Sequence, residues 1–390
     1  MSVGFLLAHL VKELKGLLID VSGKVELTAF VGRHTPVRSG GELYNSHLFS
    51  AAESEGVSLS YITLSEAPLE DWLGGRLVWR LKRITRTLYM SWKAYRSPSD
   101  LFVDVWLAPY LWPWAVFSRR RCLLMVHHLR AHLESSWFRK KWIGWCEGLL
   151  INRAERILTV SQSSQHQISE KLKLPVPVDV ISPGFERPIV REKVASATVS
   201  IQFLFVGHIT RAKGVLDLVN ALHSIPDDLP WAMHIVGNTD AEPDTTLRLR
   251  EMITELPSPD RVNIYGRVED QKLQDLYAMA DVFVLPSYWE GYGIVLLEAM
   301  ARGLPVISTN AGAIPEVVEH LKTGLLVASG DRDELAQAFK SMITDEALRV
   351  ALGGAAFDAA AQHADWPAME SRCRGWWSQL KSMLIDAEGK

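Results

Sequence analysis

The chain has 390 residues, 22% of them charged, and a formal net charge of −3. That length exceeds what one hydrophobic core usually organises, so two domains of similar size are expected, and the near-balanced charge gives no global reason for a nucleic-acid partner. Cys122, Cys146 and Cys373 lie far apart, without a Cys-x-x-Cys or Cys/His spacing, which argues against a disulfide scaffold and for a reducing, cytoplasmic compartment.

The N-terminus, "MSVGFLLAHLVKELKGLLIDVSG", lacks the basic segment and small-residue cleavage site of a secretory signal. Leu6, Leu7, Leu10, Leu14, Leu17 and Leu18 recur at helical spacing and predict an amphipathic helix, packed either on the protein or on lipid. "VELTAFVG" reads as the first strand, "HTPVRSGGELYNSHLFSAAESEG" as a Gly-rich loop opening a helix that ends near Gly56, and "VSLSYITL" as the next strand.

Residues 72–96, "WLGGRLVWRLKRITRTLYMSWKAYR", carry Arg76, Arg80, Lys82, Arg83, Arg86, Lys93 and Arg96 with no acidic residue, interleaved with Trp79, Tyr89, Trp92 and Tyr95. Residues 137–145, "WFRKKWIGW", set Trp137, Trp142 and Trp145 around Arg139, Lys140 and Lys141. Each stretch alone fits a solvated helix whose tryptophans pack in the core. Together they favour peripheral contact with an anionic membrane, on its inner face, through 72–96 and 137–145.

Leu101 to Phe117, "LFVDVWLAPYLWPWAVF", is short for a spanning helix and contains Asp104, Pro109 and Pro113, so a buried strand followed by a turn is expected. "CLLMVHH", "RILTVSQSS" and "VDVISPG" each look like a buried β-run ending in polar residues, as a parallel sheet covered on both faces requires. The charged, non-periodic "FERPIVREKVASATVS" reads as a linker. The alternation then restarts with "IQFLFVGHI", "WAMHIVG", "VNIYGRV" and "DVFVLPS" as strands, and "GVLDLVNALHSI" and "QKLQDLYAMA" as helices. A second α/β domain is therefore expected, with neither internal repeat nor low-complexity tract.

Two loops of this second half carry chemistry. In "FLFVGHITRAKGVLDLV" a strand ends at a glycine, and Arg211 and Lys213 stand just before a helix predicted to begin near Gly214. Cations beside free helix N–H groups suit a diphosphate, although two basic residues in a loop are often simply solvated. In "SYWEGYGIVLLEAMAR" the loop after a strand opens a helix stopped by Gly303 and Pro305. Ligands of open parallel sheets bind outside the carboxyl ends of strands, which puts Glu290 at a ligand edge, with Gly291 and Gly293 allowing close backbone approach. Glu298, about one and a half turns into the helix, is placed to accept hydrogen bonds from sugar hydroxyls. The competing reading makes Glu290 a charge favoured by the helix dipole and Glu298 a solvated face residue.

"VGHITRAKG", "YGRV", "LPSYWEGYGIVLLEAMARGLPVIST" and "AGAIPEVV", in that order and spacing, resemble the C-terminal domain of the family-four (group 1) retaining glycosyltransferases of the GT-B fold, whose hallmark is a Glu-x7-Glu pair. The first half is similar more loosely, through "SGGELYN", "LMVHH", "ILTVSQSS" and "ISPGF", so the resemblance spans residues 25–385 and is specific after residue 200. It implies two Rossmann-like domains, 1–190 on the acceptor side and 197–369 on the nucleotide-sugar side, facing an interdomain cleft, with a C-terminal helix, 370–390, crossing back to the first domain.

Residue by residue, the resemblance assigns Glu290 to hydroxyls of the donor sugar, Glu298 to the ribose and Lys213 to the diphosphate, with Gly207, Gly291, Tyr292, Gly293 and Ile294 around the donor. Gly40 and Gly41 match a loop that nears the phosphates, and His127, or the adjacent His128, a histidine near the reacting sugar. His208 stands where the family usually has arginine; imidazole is not a permanently charged fork, and Arg211 is placed to compensate. The implied reaction is hexosyl transfer from a nucleotide sugar to a hydroxyl acceptor, lipid-linked or a surface-polysaccharide intermediate. Retention would come from front-face attack, with the leaving phosphate taking the acceptor proton and with neither metal nor other cofactor. A sugar-nucleotide epimerase and a degenerate sugar-nucleotide-binding protein are the alternatives; a nicotinamide dehydrogenase is disfavoured because the first βαβ unit has no Gly-x-Gly-x-x-Gly.

Overall fold

The computed structural model describes residues 25–32, 39–64, 76–134, 136–173, 175–187 and 200–388, with side chains omitted at 76–82 and 386–388. The expected N-terminal helix and most of the expected linker lie outside these residues, as do 72–75 of the first basic stretch. The chain forms two compact units, one comprising Met1–Val160, Ser164–Ser182 and Trp366–Lys390, the other Ser161–Ser163 and Pro183–Asp365.

In the first unit, β1 (Val25–Val31), β2 (Val57–Thr63), β3 (Asp100–Asp104), β4 (Cys122–Val126), β5 (Ala154–Thr159) and β6 (Val178–Val180) form one parallel sheet in the order β2-β1-β3-β4-β5-β6. Between them run α1 (Gly40–Ser54), α2 (Arg76–Arg96), α3 (Ala108–Phe117), α4 (Trp137–Ile151) and α5 (Gln162–Lys171). Ser39 caps α1 by accepting the Glu42 N–H. β1, β3 and β4 are buried along nearly their whole length, which is why apolar residues dominate them. β6 is different: it is three half-buried residues at the sheet edge, so the "VDVISPG" run is only partly covered.

The stretch expected as strand then turn proves to be β3, a short 3₁₀ turn (Val105–Leu107) and the helix α3. Two prolines misled the reading. Pro109 sits in the first turn, where its missing N–H costs nothing, and Pro113 forfeits one internal bond while Leu111, Trp114 and Ala115 are buried. Its composition is apolar all round, so no 3.6-residue stripe marks it in the sequence.

In the second unit, β7 (Ile201–Val206), β8 (Trp231–Val236), β9 (Val262–Gly266), β10 (Val282–Leu285), β11 (Val306–Thr309) and β12 (Gly324–Val327) pair in the order β12-β11-β10-β7-β8-β9, again all parallel. Its helices are α6 (Val215–His223), α7 (Pro243–Thr254), α8 (Asp270–Met279), α9 (Ile294–Met300), α10 (Ile314–Val317), α11 (Arg332–Thr344) and α12 (Glu346–Ala360). Counted within the unit this is the 3-2-1-4-5-6 order of dinucleotide-binding sheets, with the reversal between β7 and β10. The reversal in the first unit falls between β1 and β3.

The terminal helix α13 (Trp366–Glu388) belongs to the first unit and packs on α1. Met369, Cys373, Trp376, Trp377 and Leu380 recur at helical spacing and are all buried. Trp377 Nε1 donates to the Leu48 carbonyl at 2.9 Å and Lys381 Nζ to that of Glu55 at 3.0 Å. The His47 ring stacks on Trp366 at 4.2 Å, and its Nδ1 lies 2.6 Å from Glu370. All three cysteines are buried as free thiols.

Candidate active site

In the second unit the two loops singled out by sequence follow β7 and β10, the neighbouring strands at the order reversal, so their carboxyl ends flank the crevice where such sheets bind ligands. The loops are bound together. Tyr288 N–H donates to the Ala212 carbonyl at 2.8 Å, and Gly214, at φ 69°, packs its Cα against the Pro286 carbonyl. Arg211–Lys213 forms a 3₁₀ turn, so α6 begins one residue later than expected, after left-handed Gly214.

Lys213 Nζ lies 2.6 Å from Glu290 Oε1, and Ser287 Oγ donates to the same oxygen at 2.6 Å. Glu290 is 7% exposed, and its carbonyl accepts the Ala313 N–H. The helix-dipole reading of Glu290 therefore gives way to a specific ion pair between a buried carboxylate and a partly exposed ammonium. Such a pair fixes a carboxylate and an ammonium side by side at the crevice edge. Glu298 is not on a solvated face either. Tyr277 OH donates to its Oε2 at 3.0 Å, Arg302 lies over the Tyr277 ring, and burial raises the Glu298 pKa against the pull of Tyr277 and Arg302.

The other predicted residues line the same loops. Gly207 donates its N–H to Val236 O at 3.0 Å, His208 is half-buried, and Arg211 is exposed with its N–H held by Glu242 at 2.8 Å. Gly291 is half-buried, Gly293 takes φ 92° to open α9, and half-buried Ile294 is the first residue of that helix. Tyr292 is buried, its hydroxyl 3.0 Å from His363 Nδ1. Sequence reasoning missed Ser287, Asp217, Tyr288 and Arg332: Asp217 accepts from Tyr288 OH at 2.7 Å and pairs with Arg332 at 2.9 Å. Only Ser287, three residues before Glu290, carried a local signal. Asp217 and Arg332 are distant in sequence and meet only through the sheet order.

In the first unit, His127 follows β4 directly, and Gly41 comes against it: a Cβ on Gly41 would sit 3.5 Å from the imidazole. Gly40 and Gly41 are the first two residues of α1. His127 Nε2 lies 3.0 Å from Asn45 Oδ1, and Asn45 Nδ2 donates to Asp104 Oδ2 at 3.4 Å. Because the Asn45 amide points its N–H₂ at the carboxylate, its oxygen faces the ring. Nε2 therefore carries the proton and Nδ1 is left as acceptor. His128 instead makes an edge contact with Trp106.

Burial pushes the His127 pKa down to about 4 and that of Asp104 up to about 6, the latter against hydrogen bonds from Trp106 N–H and Asn45. Unfolded histidine takes up its proton near 6.5, so His127 costs stability as pH falls from about 6.5 to 4. Asp104 works oppositely, the folded state binding its proton first across about pH 6 to 4. The two contributions offset each other in the wild type. Asp104→Asn removes one of them, and urea denaturation across this range is expected to show stability falling more steeply toward acid, whereas His127→Gln reverses the slope.

Among the described residues no cluster of three or more His, Cys, Asp or Glu could hold a metal ion, and no helix is long and apolar enough to cross a membrane. Residues 186–358 match the family described as Glycosyl transferases group 1, and residues 38–187 match Glycosyltransferase Family 4. The two matches tile most of the chain. It belongs to the family-four (group 1) glycosyltransferases.

Among curated members of this family, the D-inositol 3-phosphate glycosyltransferase of Pseudarthrobacter chlorophenolicus is 34% identical over 170 residues, 43% of this chain and 40% of that protein. The alpha-maltose-1-phosphate synthase of Mycobacterium tuberculosis is 35% identical over 172 residues, 42% of this chain and 44% of that protein. The aligned part thus spans under half of either relative. In fold, the sucrose-phosphate synthase of Thermosynechococcus elongatus superposes with a TM-score of 0.74 at 20% identity, covering 92% of this chain and 99% of that one. HepE of Anabaena, in complex with UDP-glucose, gives 0.67 at 20% identity, covering 91% and 99%. The architecture is that of the GT-B glycosyltransferases.

Proposed function

We propose that this protein is a retaining glycosyltransferase that moves a hexosyl group from a nucleoside-diphosphate sugar to a hydroxyl acceptor, lipid-linked or an intermediate of a surface polysaccharide. The observation that carries the reading is the Lys213–Glu290 pair, brought together at the carboxyl ends of β7 and β10, where the strand order reverses. The names of the relatives, which include sugar transferases and a UDP-glucose complex, support the donor class.

In this reading the bond between the anomeric carbon and the phosphate oxygen breaks while the acceptor oxygen bonds to the same face, and the leaving diphosphate takes the acceptor proton. Oxocarbenium character grows on the sugar and negative charge on the diphosphate. Lys213 and Arg211 stabilise that leaving group. Glu290, an acceptor held by Lys213 and Ser287, orients sugar hydroxyls and does not attack. Glu298 takes the ribose, and His127, neutral at physiological pH, offers Nδ1 as an acceptor near the reacting sugar. No step needs a resident metal, so dialysis against EDTA is expected to leave the transfer rate unchanged.

A thermal-shift screen of sugar nucleotides tests the donor. One of them is expected to raise the melting temperature, corresponding to about 2.7 kcal/mol at a hundredfold excess over Kd. Transfer of its labelled sugar to a glycolipid or glycan hydroxyl should follow. Epimerisation of the donor, or binding without turnover, would replace this reading with one of the alternatives raised by the sequence.

A further inference from the structure

We infer that the outer face of the helix layer formed by α2, α3 and α4 docks on an anionic lipid bilayer. These helices pack side by side, α2 on α3 and α3 on α4. Their inner faces share one core with the sheet, through Met90, Leu111 and Cys146 among others. A helix covering a sheet ordinarily turns its apolar stripe inward and a polar face outward. Here a second apolar stripe faces out. Ile84, Leu88, Trp92 and Tyr95, spaced so that they share one side of α2, are 55%, 62%, 52% and 46% exposed. At the end of α3 Phe117 is 74% exposed, and at the start of α4 Trp137 and Phe138 are 63% and 76% exposed. Trp112, Trp142 and Trp145 join α3 to α4 through ring contacts of 5.2–5.8 Å.

An exposed apolar surface of this kind marks a partner protein or a membrane, and charge decides between them. From Arg76 to Ile151 there are fourteen Lys and Arg against four acidic residues, of which Asp104 and Glu147 are buried and Glu134 pairs with Arg130 and Arg139, although the whole chain carries a net −3. Basic side chains border the aromatics instead: Lys93 and Arg96 lie 5.8 and 5.7 Å from the Trp92 ring, and Lys140 and Lys141 follow Phe138. Protein interfaces are depleted in lysine at their centres, whereas tryptophan with lysine and arginine is the combination found at the headgroup level of bilayers. At one edge of this face Trp106, 41% exposed, touches His128, next to the His127–Asn45 pair. A lipid-borne acceptor would thus be presented beside the first unit's polar group. The inference builds on the acceptor side of the function proposed above.

Flotation of the full chain with vesicles, without donor or acceptor, tests it. Binding is expected to vesicles of phosphatidylcholine mixed with phosphatidylglycerol, absent with phosphatidylcholine alone, and lost as sodium chloride is raised. Lys140→Ser with Lys141→Ser should weaken binding about 25-fold, from about fivefold per residue. Trp137→Ser with Phe138→Ser should abolish it, with melting temperatures unchanged because all four side chains are exposed. Three outcomes would overturn the assignment. One is no binding to anionic vesicles at low salt. Another is undiminished binding by both variants, which would move the contact elsewhere, residues 1–24 included. The third is a dimer, seen by light scattering, that the Trp137/Phe138 variant dissociates. Donor stabilisation in the thermal-shift screen is independent of every one of these results, so failure of either proposal is visible by itself.

Discussion

Lys213→Ala is expected to lower kcat/KM about 10²- to 10³-fold, and to abolish stabilisation by the donor while the protein stays folded. The ammonium is the cation fixed beside Glu290 at the reversal between β7 and β10, and a diphosphate leaving group needs such a charge in place before the bond breaks. The stability cost should be modest, about 1–2 kcal/mol, because Lys213 is partly exposed and Ser287 still donates to Glu290. Lys213→Arg tests geometry: the charge is kept, but the planar fork does not reproduce a point contact at 2.6 Å, so rescue should be poor. Glu290→Gln keeps the shape and removes the charge, and its loss should fall mainly on kcat. Full donor stabilisation of Lys213→Ala would sink the assignment of the diphosphate to this residue.

Gly214→Ala is expected to be strongly destabilising to the second unit. Its Cβ would lie 1.9 Å from the Pro286 carbonyl oxygen, and φ 69° is a conformation that alanine adopts at a cost. Neither problem has a local remedy, since the obstructing atom is backbone of the loop that leads to Glu290. A loss of roughly 4 kcal/mol or more, visible as a drop of roughly 10 °C in melting temperature, should accompany loss of donor binding. Gly354→Ala supplies the contrast. It sits inside α12 with nothing within 4 Å of an added Cβ, so it should be neutral or stabilising by up to about 1 kcal/mol. Equal effects of the two substitutions would show that Pro286 and Gly214 do not pack as described.

The fold was legible where local pattern and tertiary environment agree. β1, β4, β7 and β10 are buried along most of their length, so their runs are predominantly apolar, and glycines directly after β1 and β7 mark two of the loops. Legibility failed at α3, whose uniformly apolar sequence and two prolines conceal a helix, and at β6, which the sheet edge leaves half covered. In the site the pattern was uneven. Lys213 and Glu290 were each visible as charges in strand-end loops. Their 2.6 Å contact was not, because 77 residues separate them. Asn45 was one polar residue among several in "GGELYN", and nothing in that segment tied it to Asp104 or His127.

By itself the sequence determined two parallel α/β units, which loops hold the charged residues, and a run from Arg76 to Leu133 nearly devoid of acid. These are properties of composition and periodicity over short windows, and local conformation follows them. Only the tertiary structure decided which of those charges meet: the order of strands sets the neighbours of β7 and β4, and hence the partners of Lys213 and His127. It also decided that the aromatic stripe of α2 faces outward, since a helix with apolar residues on two sides can bury only one of them against its sheet.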